Sequence, residues 1–190
     1  MPATEAPSDQ ELPLETGLGA PALDGCNHDF ATLASKILPE HFARLQTSMA
    51  APLAMHDFAQ PKVGVAALLK RHGRGNDFSG CYVLSADSSP WYVGISRSVF
   101  KRLRDHVTGG THYNATLAYR MAKGDEAHGL TRDKAMATAD FLNRFTAKRQ
   151  ELRGFHAAYV EIPNPVELYL FEVYAAMTLK TTRWNTFRTH

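Results

Sequence analysis

Between Ser79 and Val107 the apolar positions change their period. Cys81 to Leu84 and Trp91 to Ile95 are dense in aromatic and β-branched residues, which suit a pleated, half-buried surface. Asp87-Ser88-Ser89-Pro90 between them has the side chains and the fixed proline φ of a reversal, so the pattern predicts a hairpin. From Arg97 onward the period is helical, with Ser96 placed to cap the first turn. Val99, Phe100, Leu103 and Val107 form one apolar stripe, while Arg97, Lys101, Arg104 and Asp105 lie mainly opposite. Arg102 and His106, one turn apart, fall on the edge of the stripe, where a polar group is half shielded from water. The plain alternative is two boundary residues that snorkel.

Upstream, Phe30, Leu33, Ala34, Ile37 and Leu38 predict a helix that Pro39 interrupts, and Phe42, Leu45 and Met49 predict a second. Pro52 and Pro61 bracket a loop. The apolar run Val63 to Leu69 ends in Lys70-Arg71-His72-Gly73-Arg74-Gly75, a glycine-rich basic stretch. Lys70, Arg71 and Arg74 either grip phosphates through charge and exposed amides or are solvated charges of a linker between domains. The stretch lacks the lysine and serine spacing of a nucleotide-binding loop.

Downstream, Gly109-Gly110 closes the hairpin's helix. Thr111 to Ala122 and Thr131 to Leu152 read as two more helices, separated by Gly124 to Gly129. On the second, Arg144, Lys148, Arg149 and Arg153 recur at helical spacing, either as an edge that follows a DNA backbone or as ordinary solvated charge. Phe155 to Ile162 alternates as a third strand before Pro163. Asn164-Pro165-Val166-Glu167 is a helix start with Asn as cap and Pro at the first position. In the apolar helix that follows, Glu172 shares a face with Leu168, Ala175, Ala176 and Leu179. A carboxylate there is costly unless it is paired, perforce with a cation such as arginine, or ligates a metal. The elements add up to an α+β fold: a small three-stranded antiparallel sheet flanked by helices, with a helical N-terminal extension and a helical insertion before the third strand.

Composition refines this picture. A chain of 190 residues with 44% apolar content suits one domain with an appendage. The expected division is an acidic leader over 1–27, a helical extension and basic stretch over 28–78, and the main domain over 79–190. The leader has five acids and no Lys or Arg, a composition expected to be disordered, so within an overall charge of +2 the rest of the chain carries +7. That excess suggests a polyanionic partner. Cys26 and Cys81 are expected as free thiols in a reducing compartment. No apolar run reaches membrane-spanning length and the first residues are acids and prolines, so a soluble cytoplasmic protein with no membrane partner is expected.

Gly80-Cys81-Tyr82, then Tyr92-Val93-Gly94, then Arg102 ten residues after the second tyrosine and His106 one turn later, together resemble the GIY-YIG nuclease superfamily. Glu172 on a later helix and Asn185 in Arg183-Trp184-Asn185-Thr186 extend the resemblance over residues of about 79–190. Cys81 stands where the family has isoleucine, a position where a small hydrophobe fits. The stretch from Thr108 to Gly154 matches no motif of the family. The resemblance implies a GIY-YIG-like fold and an endonuclease that hydrolyses DNA phosphodiester bonds with one divalent metal ion, Mg²⁺ or Mn²⁺, on Glu172. It implies that Arg102 holds the scissile phosphate and Tyr82 takes the proton of the attacking water. Tyr92 and His106 then orient water and phosphate, with His106 as a proton relay. Asn185 fixes the geometry.

Both tyrosines must share a sheet face for this. Ten residues apart, they do so with an odd loop, such as five residues from Asp87 to Trp91, or with one bulge. Without the resemblance they read as core aromatics. Lys70, Arg71, Arg74, Arg97, Lys101, Arg104, Arg144, Lys148 and Arg149 are the candidate nucleic-acid contacts. A non-cleaving nucleic-acid-binding module and an RNA-cleaving enzyme of the same fold are the alternatives, and double-strand cleavage would require two copies or sequential nicking. No zinc-finger spacing or helix-turn-helix pattern is present.

Overall fold

The computed structural model describes residues 23–124 and 129–187. The disorder expected of the acidic leader falls largely on residues 1–22, outside the described residues. Helix α1 (Phe30–Thr32) is capped by Asp29, whose carboxylate accepts from Thr32 N at 2.7 Å, and runs through a π-helical turn (Leu33–Ile37) into α2 (Leu38–Met49). Pro39 therefore does not interrupt the helix. The wider turn, in which Leu38 N bonds Leu33 O, relieves the clash that a proline ring makes with the preceding turn of an α-helix.

Where a loop was expected after Pro52, the chain forms a two-residue strand β1 (Leu53–Ala54) and a short helix α3 (Met55–Phe58). Helix α4 (Val65–Arg71) follows. The glycine-rich basic stretch is its C-terminal cap: Gly73 takes φ +67°, and Arg74 N bonds Leu69 O at 2.8 Å. Arg74 then reaches Glu161 at 2.8 Å and lies over the Phe78 ring at 4.6 Å.

Strands β2 (Gly80–Ala86) and β3 (Ser89–Ser96) form the expected hairpin. Its loop has two residues, Asp87 and Ser88, both at positive φ (48° and 62°), the conformation of a tight primed turn. The register slips between Leu84 and Ser85, leaving Trp91 as an extra residue on β3. A bulge, not a five-residue loop, thus solves the parity: Tyr82 pairs with Gly94 and Leu84 with Tyr92, so both tyrosines lie on one face.

Helix α5 (Val99–Thr108) starts two residues later than expected, because Ser96 does not cap it. The Ser96 hydroxyl accepts from Ser98 N, and the cap comes from Asp77, whose carboxylate accepts from the backbone N–H of Phe78, Phe100 and Lys101, each at 2.9 Å. After α6 (Thr116–Lys123), the single helix expected over Thr131–Leu152 divides into α7 (Arg132–Met136) and α8 (Ala139–Glu151). Strand β4 (His156–Glu161) and helix α9 (Pro165–Thr178) complete the order. Asn164 caps α9 as expected, its Oδ1 accepting from Val166 N and Glu167 N.

The fold is α+β, with an antiparallel sheet flanked by helices and ordered β1-β4-β2-β3. Among the described residues the sheet has four strands rather than three, the fourth being β1, paired to β4. One face buries Tyr82, Leu84, Phe100, Leu103 and Phe145, and Met55, Phe58 and Leu68 of the N-terminal extension join the same core. The other buries Cys81, Val83 and Val93 against Leu45, Phe171 and Ala175. Cys26 and Cys81 are free and buried. Among the described residues no helix is long and apolar enough to cross a membrane.

Candidate active site

The site forms around β3 at the edge of the sheet. Gly94 is required there by a close approach: a Cβ on it would sit 2.5 Å from Tyr82 Oη and 2.6 Å from Tyr82 Cζ. The Tyr82 ring passes over that glycine to bring its Oη 2.7 Å from Nε2 of His106, and both side chains are fully buried. Tyr92 completes the cluster, with its ring centroid 6.2 Å from Tyr82 and 6.0 Å from His106. One turn before His106, Arg102 is held by two hydrogen bonds, Nη1 to Asn114 O at 2.7 Å and Nη2 to Thr116 Oγ1 at 2.6 Å.

Burial raises the Tyr82 phenol well above its ordinary value, with Tyr92 adding to the rise and the Arg102 guanidinium opposing it. Burial also raises Tyr92, against the charges of Arg120 and Arg102. His106 is pulled down to about 3, first by burial and then by the Arg102 charge. At neutral pH the two phenols keep their protons and the imidazole is uncharged.

Glu172 projects from α9 beside this cluster. It is half-buried, and burial raises its carboxyl above the usual range while Arg120 opposes the rise. It has no hydrogen bond or ion pair with any described residue, so the salt-bridge alternative is not realised as a contact. Asn185 is buried, with Oδ1 accepting from Val93 N at 2.9 Å and Nδ2 donating to Val93 O at 2.7 Å. Its amide acts as a short extra strand on the outer edge of β3, which fastens the segment after α9 next to Tyr92.

Tyr82, Tyr92, Arg102 and His106 are therefore brought together, with Glu172 and Asn185 alongside. Arg120 belongs with them although no motif singles it out. It lies on α6 one turn after Thr116, the partner of Arg102, and its Nη1 donates to Trp184 O at 2.9 Å. That spacing is informative only once the Arg102–Thr116 bond is known.

Of the candidate nucleic-acid contacts, Arg97 and Lys101 line a hollow of about 240 Å³ with Arg102. Lys101 also pairs with Asp105 at 2.7 Å. The others are engaged elsewhere or apart. Arg71 bonds Gln60, Arg74 pairs with Glu161, Arg104 bonds Val63 O, and on α8 Arg144 pairs with Asp140, Lys148 with Glu151, and Arg149 bonds Gly109 O. Lys70 is exposed at the end of α4.

No protein-family model, curated protein or solved structure matches this chain. Among the described residues no group of three or more His, Cys, Asp or Glu side chains is gathered as a metal cage. An open, half-buried carboxylate is nevertheless a fitting ligand for Mg²⁺ or Mn²⁺, since Mg²⁺ binds through one or two carboxylates and keeps water and phosphate oxygens in the remaining positions.

Proposed function

We propose that the protein is a metal-dependent endonuclease that hydrolyses DNA phosphodiester bonds at this site, in the manner of the GIY-YIG nucleases its residues resemble. The observation that carries the reading is the cluster itself. A buried tyrosine–histidine pair, a second tyrosine, a tethered arginine and an unpaired carboxylate surround one strand, and neither a core nor a docking surface needs that combination.

Glu172 would hold a single Mg²⁺ or Mn²⁺, which when bound supplies Lewis-acid polarisation of the phosphate and the leaving 3′ oxygen. Arg102 keeps N–H donors beyond the two that bind Asn114 and Thr116, and its permanent charge suits the scissile phosphate. Tyr82 is enclosed and does not meet the attacking water itself: its phenol donates to His106 Nε2, in the tautomer with hydrogen on Nδ1, and the pair positions the ring beside Tyr92 and Arg102. Tyr92 orients water and phosphate from the same face, and Asn185 holds the wall of the site.

One such site cuts one strand, so double-strand cleavage requires a second copy or a second encounter. Replacing Arg102 or Glu172 by Ala tests the assignment. Cleavage should fall by at least about a hundredfold while the fold and most DNA binding remain. Unchanged cleavage in either variant contradicts it.

A further inference from the structure

The bulge on β3 sets Trp91 facing the segment that follows α9. Trp91 and Trp184 lie nearly parallel, with ring centroids 6.3 Å apart and planes within 16°. Trp91 is braced by the edge of Phe155 at 5.2 Å. The Arg183 guanidinium sits 5.1 Å from the Trp184 ring centroid. The two indoles, with Lys180 and Arg183, line a hollow of about 210 Å³. It adjoins the candidate active site, because Arg120 bonds Trp184 O and Asn185, the residue after Trp184, bonds Val93. Its walls are fixed by the Arg120 bond to Trp184 O and by the Asn185 clamp on Val93.

A structural anchor for this segment needs an aromatic contact but not cations at its mouth. Lys180 and Arg183 are both exposed, and neither pairs with a carboxylate among the described residues. Trp184 Nε1 is buried with no hydrogen-bond partner among them, so its ring is held by the stack on Trp91 and by the Arg183 guanidinium rather than by a hydrogen bond. Aromatic faces beside unpaired cations are the combination that receives single-stranded nucleic acid, since every base offers a π-face and every linkage a charge.

We propose that this hollow is a nucleobase subsite, in which an unpaired base of the substrate stacks on the tryptophans while Lys180 and Arg183 meet the flanking phosphates. The inference rests on the nuclease reading and sharpens its substrate class. A base inside a regular duplex has both faces covered by its neighbours, so the subsite favours strands that are single, gapped, branched or locally splayed next to the cut.

Trp91 and Trp184 are the two tryptophans of the chain, so its intrinsic tryptophan fluorescence reports on this hollow. The test titrates the full chain, in chelator, with a thymidine oligonucleotide and with an abasic oligonucleotide of the same length and charge. A uridine oligoribonucleotide run beside them distinguishes the deoxyribose from the ribose source. The base-bearing strand should quench the fluorescence saturably and bind roughly tenfold or more tighter than the abasic one. Trp184→Ala should remove that preference. Equal binding and equal quenching by thymidine, uridine and abasic strands in the wild-type chain would overturn the subsite, with no variant needed. Since chelator prevents metal-dependent cutting, base-dependent quenching by a chain that never cleaves DNA leaves the subsite standing and the nuclease reading fallen; cleavage without base dependence does the reverse.

Discussion

Tyr82 Oη and His106 Nε2 are 2.7 Å apart inside the protein, and neither side chain reaches solvent. Enclosure pulls His106 from an ordinary 6.5 down to about 3. The unfolded chain therefore binds a proton at this position at a higher pH than the folded one does. Stability associated with neutral His106 is complete above pH 6.5 and declines as pH falls from there toward 3, by at most about 1.4 kcal/mol per pH unit. Urea unfolding at several pH values should show His106→Gln losing less stability than wild type between pH 6 and 4. Parallel curves would mean that His106 is not held neutral by the fold.

Gly94→Ala should disturb the same pair without touching a polar atom. The new Cβ would press on the Tyr82 phenol and on Tyr92 Cε1 at 2.9 Å, so the ring must move from His106. A cost of about 1–3 kcal/mol is expected from overpacking at a buried site, read as a lower urea midpoint. Gly154→Ala, where an added Cβ meets nothing within 4 Å, is the matched control. Equal midpoints for the two variants would refute the close approach.

Arg120 opposes the rise of the Glu172 carboxyl, so removing it lets burial raise that carboxyl further. The acid limb of metal-dependent cleavage should move to higher pH in Arg120→Ala, with the rate at neutral pH lowered by about tenfold, and Arg120→Lys should recover part of both. An unmoved acid limb would show that Arg120 serves only to hold Trp184 O.

The parts of this arrangement that follow a local rule are legible in the sequence. The hairpin shows through the β-rich runs around Asp87-Ser88-Ser89-Pro90, although parity alone leaves open whether Tyr82 and Tyr92 share a face until the bulge at Trp91 decides it. Helix α5 shows its buried stripe through Val99, Phe100, Leu103 and Val107, and α9 its start through Asn164 and Pro165. What depends on distant partners is not legible. Asp77 caps α5 from more than twenty residues away, and Arg120 gains meaning only through the bond between Arg102 and Thr116. Strand β1 is too short to display alternation, and the break at Ala137-Thr138 contains neither Gly nor Pro to announce it. Pro39 misleads for a related reason, because a π-turn accommodates a proline that an α-helix would not.

The central claim is that Glu172 serves a metal-dependent cut. Supercoiled plasmid incubated with the purified chain in Mg²⁺, in Mn²⁺ and in chelator, beside Glu172→Ala, tests it most directly. Conversion to nicked or linear DNA is expected with metal, and none in chelator or with the variant. No conversion by the wild-type chain in either metal, or equal conversion by Glu172→Ala, would contradict it.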